Sequence, residues 1–192
     1  MTAHAARFLL FCIALTGWGV SAAQTITTDQ LQRLLQSAPT GDVRFQEQRQ
    51  SPWLAAPMES RGVVRSLAQG LEKQIDSPKQ ETWRLLPDRL EWRGPEGAGN
   101  KQILFSQAPA LAALSNAMRR VVAGDLLALE RDFRITLQGD AKLWTAHLQA
   151  HTPEVARHLD YLEMQGAGSQ LLVLIVVERK GERTTTRFYP LI

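Results

Sequence analysis

Cysteine is nearly missing from this chain: Cys12 is the single one among 192 residues. It lies in an apolar N-terminal segment expected to be removed, so no disulfide framework remains and stability must come from packing and hydrogen bonds. Long apolar runs are also missing. Residues 8–18 form a run of about eleven, well short of the roughly 20 that a permanent membrane-spanning helix needs. Residues 171–177 form another, of the length of a buried strand. Charge of one sign is scarce: 22 Lys and Arg stand against 19 Asp and Glu, a formal net charge of +3. That mild basicity gives no electrostatic footprint for a nucleic acid. The motifs G-x-S-x-G, the P-loop and H-E-x-x-H are all lacking. Gly166-Ala167-Gly168 has no third glycine and reads as a turn, not a dinucleotide loop.

What is present begins with export. A neutral start, Arg7 and the apolar run lead to Ser21-Ala22-Ala23, which puts small residues at the −3 and −1 positions of a signal-peptidase site. Residues 1–23 are therefore expected to be a cleaved signal, with the mature chain starting near Gln24. Phe11 before Cys12 does not suit a lipoprotein cut. Loss of Arg7 lowers the formal charge by one, and the remaining 24–192 are long enough for one domain with its own core. An exported chain without disulfides favours a periplasm.

The patterning then predicts mainly β structure with a few helices. Thr27, Asp29 and Gln30 precede a Leu31, Leu34, Leu35 stripe, giving a first helix over about 28–37 that Pro39 and Gly41 stop. From there the period is two. Val43 and Phe45 alternate with Arg44 and Gln46, and Met58, Ser60, Gly62 and Val64 with Glu59, Arg61 and Arg65. Further short strands follow around Leu71–Ile75, Trp83–Leu85, Leu90–Trp92 and 103–105, making an antiparallel meander. Helical spacing returns with Leu111, Leu114, Met118 and Val121; Gly124 breaks it, and Asp125 caps a second helix. Strands resume at Phe133 and Trp144, over 158–165, over 171–178 and over 183–188. The apolar 171–178 strand is expected to be covered on both faces. Ten or eleven antiparallel strands must curl, so the expected fold is an incomplete β-barrel with helices over its hollow.

Candidate chemistry is sparse. His147 and His151 are four apart, but along a strand that is roughly 13 Å, too far for one metal; they read as solvated histidines. His158, Asp160 and Ser169 have no spacing that supports a hydrolase triad. Trp83, Trp92 and Trp144 lie on apolar strand faces, as core or as the wall of an apolar pocket. Trp53 and Leu54 sit in a proline-bounded link, 51–57, either as an exposed tip for a membrane or partner or as a lid. Arg119 and Arg120 end a helix, where cations suit the dipole, and are also candidates for partner or anionic-lipid contact.

The segment Val43-Arg44-Phe45-Gln46-Glu47 resembles the F-x-Q/E opening strand of the periplasmic lipoprotein carriers, the LolA-like family. Pro57-Met58-Glu59-Ser60-Arg61-Gly62-Val63-Val64 resembles its glycine-marked second strand. Met118-Arg119-Arg120-Val121-Val122-Ala123-Gly124-Asp125-Leu126, then the strand 133–139 and Trp144, is similar to a divergent branch of the family. The resemblance implies a half-barrel closed by helices whose interior shelters acyl chains between inner and outer membrane. In the best-known members the second strand leads into an Arg-Pro pair that holds the lid helices; here Ser66-Leu67-Ala68-Gln69 stands in its place. The latch is not carried over, and lipid-like cargo other than lipoprotein is equally compatible.

These readings give a set of expectations. The protein is a non-enzymatic carrier without cofactor or metal, a monomer in the periplasm. It meets an inner-membrane donor and an outer-membrane acceptor, with transient membrane contact. Phe45, Met58, Val64, Leu71, Trp83, Leu85, Leu90, Trp92, Phe105, Leu114, Met118 and Trp144 line the cavity or its lid. The rival readings are an adaptor of an envelope complex with a fully packed barrel, working through Trp53, Arg119 and Arg120, and a secreted hydrolase.

Overall fold

The computed structural model describes residues 25–39 and 41–190; the expected export signal lies outside the described residues. The first helix, α1 (Thr28–Gln36), opens with a capping box. Thr27 Oγ1 accepts from the Gln30 amide at 3.3 Å, while Gln30 Oε1 accepts from the Thr27 amide at 3.0 Å. Six strands follow: β1 (Val43–Gln50), β2 (Met58–Leu67), β3 (Gly70–Ser77), β4 (Glu81–Leu85), β5 (Arg89–Arg93) and β6 (Asn100–Leu104). Phe105 does not extend β6, as the alternation predicts. It is buried and opens a 3-10 turn, its carbonyl accepting from the Ala108 amide at 3.2 Å, which directs the chain into α2 (Pro109–Val122).

Gly124, with a φ of 64°, ends α2, and Asp125 accepts from the Ala128 amide at 3.2 Å to start α3 (Leu126–Leu129). Strands β7 (Phe133–Gly139) and β8 (Trp144–Ala150) come next. The short helix α4 (Pro153–Ala156) has no counterpart in the periodicity reading; Pro153 at its first turn starts it. Then come β9 (Leu159–Ala167), β10 (Gln170–Glu178) and β11 (Arg183–Pro190).

All eleven strands form one antiparallel sheet in the order β6-β5-β4-β3-β2-β1-β11-β10-β9-β8-β7. The first and last strands therefore pair in the middle, and the sheet has two wings, β1–β6 and β7–β11. It curls, as accumulated twist requires, but β6 and β7 remain edges and no barrel closes. The main core joins the helices to the β7–β11 wing. Leu31, Ala117, Val121, Leu126 and Leu129 meet Phe133, Trp144, Leu148, Leu162 and Met164 in the main core, all from inward positions of β7–β9.

The expected cover on both faces of β10 is not a second layer. Leu174 faces the helices, whereas Ile175 points outward in register between Glu163 and Thr185 and is buried there with Val173 and Val177 half-buried beside it. The expected cover on the outer face is supplied by flanking side chains of the neighbouring strands.

Candidate functional site on the inner face

Register fixes which side chains share the inner face of the β1–β6 wing. One row reads Val43, Val64, Lys73, Trp83, Trp92, Lys101. The row on one side reads Ser66, Leu71, Leu85, Leu90, Ile103, and on the other Phe45, Gly62, Ile75, Glu81. Val64, Leu71, Trp83, Leu85, Leu90 and Trp92 are only half-buried and stand outside the helix-covered core. The result is an aromatic and aliphatic trough, open where the opposite wing is packed.

Two polar groups punctuate the trough. Glu47 on β1 accepts from Lys73 Nζ at 2.7 and 2.6 Å and from Thr186 Oγ1 at 2.9 Å, and the same ammonium lies 4.7 Å from the centre of the Phe45 ring. Glu81 accepts from the Trp83 indole N–H at 3.0 Å and from the Trp92 indole N–H at 2.9 Å. The two indoles lie 6.2 Å apart, tilted by 51°, and Lys101 Nζ sits 5.3 Å from the Trp92 ring centre.

The outer face of the same wing is a charge ladder. Arg65 donates to Asp42 at 2.8 Å and to Glu72 at 3.2 Å, and Arg84 donates to Glu72 at 2.7 Å. Arg84 first, and then Arg65, hold the Glu72 carboxyl below its ordinary range. Two depressions of about 300 and 360 Å³ draw on both faces: Arg84, Glu91 and Gln102 line one together with Trp92 and Lys101, and Gln46, Glu59 and Arg61 line the other together with Glu47 and Ser60.

A family model described as outer membrane lipoprotein carrier protein LolA-like matches residues 20–189. The chain belongs to this LolA-like family. Solved structures similar to it include a LolA superfamily protein from Nitrosomonas europaea, at 11% identity and a TM-score of 0.42, covering 85% of this chain and 90% of that one. A DUF1329 family protein from Desulfovibrio piger shares 9% identity with a TM-score of 0.45, covering 84% and 89%. An outer membrane lipoprotein-sorting protein domain from Vibrio parahaemolyticus shares 8% with a TM-score of 0.43, covering 85% and 89%. No curated protein matches the chain.

In this LolA-like chain the expected lining residues divide between the two wings. Val64, Leu71, Trp83, Leu85, Leu90 and Trp92 lie along the trough, and Phe45 is buried at the junction opposite Phe188. Met58, at the start of β2, is 51% exposed. Phe105 is buried in its turn, and Leu114 and Met118 pack against the main core from α2. Trp144 is 1% exposed within that core, and its indole donates to the Gly168 carbonyl at 2.9 Å.

Trp53 is 76% exposed at its loop tip, with Leu54 exposed beside it. Arg119 donates to Asn116 Oδ1 at 2.7 Å, whereas Arg120 is used internally, donating to the Ala128 carbonyl at 2.6 Å. In the family's Arg-Pro position, β2 simply turns into β3 through Ala68 and Gln69. The helical cap is tied by other means: Gln32 Oε1 accepts from the Leu127 amide at 3.0 Å, and Arg120 joins α2 to α3.

Sequence reasoning missed Glu47, Lys73, Glu81 and Lys101. Their signal was available: each is a charged residue at an inward position of an otherwise apolar alternation, as in Leu71, Lys73, Ile75 or Glu81, Trp83, Leu85.

Proposed function

We propose that this protein is a non-enzymatic periplasmic carrier that shelters acyl chains, of lipoprotein or of another lipid, between inner and outer membrane. The half-open trough carries the reading: a monomeric protein rarely leaves a contiguous aromatic and aliphatic surface to water without a partner for it. Membership in a family described by lipoprotein carriage supports it, as does an N-terminal segment with the features of an export signal. Burying an acyl chain contributes about 0.8 kcal/mol per methylene, so about a dozen methylenes give ample affinity. Release then requires an acceptor that binds the chain more tightly, or movement of the helical cap.

The test is displacement of a fluorescent fatty acid. Trp83→Asp and Trp92→Asp should each weaken binding at least about tenfold while far-ultraviolet circular dichroism stays β-rich. Unchanged binding in both variants overturns the carrier reading. The adaptor reading draws on the exposed Trp53 tip; native mass spectrometry of protein from a membrane-containing host separates the two, because a carrier copurifies with lipid.

A further inference from the structure

We propose that the Trp83–Trp92–Glu81 cluster is a headgroup subsite for a zwitterionic, ammonium-bearing phospholipid, with Lys101 receiving the phosphate. This deepens the carrier reading and rests on it. Glu81 is half-buried on an aromatic floor and holds both indole N–H groups, so the two rings are fixed relative to each other, with Lys101 over the face of Trp92. Among the described residues neither Glu81 nor Lys101 enters an ion pair. One indole separates these opposite charges, with the carboxylate at its N–H edge and the ammonium over its face.

That arrangement is complementary to an ammonium and a phosphate joined by a short link. Tilted indoles with an unpaired carboxylate attract a cationic head through ring faces and charge together. Lys101 over Trp92 already shows a cation on one of those faces. A purely anionic head would meet Glu81 unscreened, and a purely cationic one would meet Lys101. The neighbouring Leu85, Leu90 and Ile103 continue the surface for the tail. Gly94 leaves room for the cluster: a Cβ there would fall 2.5 Å from the Trp92 ring, so a side chain at that point would displace the indole.

The experiment uses soluble single-chain lipids of equal acyl length, read by calorimetry and intrinsic fluorescence. Wild-type protein should bind lysophosphatidylethanolamine about tenfold more tightly than lysophosphatidylglycerol, and free phosphoethanolamine should not bind. Glu81→Gln should bring the two lipids within about twofold while keeping fatty-acid binding, which also reports that it folds. Lys101→Met should weaken both phospholipids but not the fatty acid. Equal affinity for the two heads in wild type, or a ratio unmoved by Glu81→Gln, overturns the subsite and leaves the carrier standing. If no acylated compound binds, both proposals fall.

Discussion

Glu47 on β1 reaches over β2 to Lys73 on β3, and both of its carboxylate oxygens take the one ammonium. The pair is mostly shielded, with 17% and 30% of the two side chains exposed. Lys73→Met leaves Glu47 with Thr186 and the weaker Ser60 contact alone. Urea unfolding should show a loss of about 1–2 kcal/mol, between the values for surface and buried pairs. The double variant Glu47→Gln with Lys73→Met should recover part of it. A single-variant loss within measurement error would mean that the pair is only a surface contact.

Gly62 sits in the inner-face row between Phe45 and Ile75. A Cβ there would lie 1.9 Å from the Gln74 carbonyl oxygen, so β2 and β3 come together only with no side chain at this point. Gly62→Ala should therefore destabilise by about 3 kcal/mol, because backbone rather than a side chain must move. Gly41→Ala, with nothing within 4 Å, is the control and should change little. Equal melting temperatures for the two variants would contradict the close approach.

Trp144 and Trp92 separate fold from trough. Trp144→Asp places a carboxylate in a packed core and should cost more than about 4 kcal/mol, unfolding much of the population. Trp92→Asp lies on a half-open surface and should leave the melting curve cooperative. Thermal melts of both decide it; similar stability would mean that the helices do not pack as described.

Glu178 and Glu72 respond to pH in opposite directions. Burial first, and then the nearby Glu182, raise the Glu178 carboxyl above its ordinary value. The folded state then holds its proton more tightly than the unfolded chain, so its contribution to stability falls as pH rises above about 4.5. Glu178→Gln should raise the neutral-pH melting temperature by roughly 1–2 °C, and the gain should vanish below that pH. Glu72, lowered by Arg84 and Arg65, stabilises above its unfolded value and loses that as the pH falls through its folded one. Glu72→Gln should therefore narrow the gap between neutral and acid melts. A Glu178→Gln advantage that persists at acid pH would contradict the assignment.

Much of the fold was legible because alternation is a local signal. Val43 with Phe45, Met58 with Gly62 and Trp83 with Trp92 share faces as their spacing predicts, and Thr27 with Gln30 forms the expected box. Periodicity failed where the outcome depends on partners far along the chain. Phe105 is turned aside by its contact into α2, and Ile175 is covered by cross-strand flanks that no window of sequence contains. Nor does alternation say which apolar positions a helix will cover. Trp144 and Trp92 look alike in sequence, yet one is packed under α-helices and the other is left at the rim of the trough. The charged inward positions were visible but lacked meaning until register placed Glu47 beside Lys73 and Glu81 between two indoles.

The pairing of β1 with β11 has a consequence for biogenesis. β1 is made well before β11, so the meander of β1–β6 emerges with the outer backbone of β1 bare and stays so until β11 arrives. A newly made chain passes through a stage in which stray strands can add to it along β1.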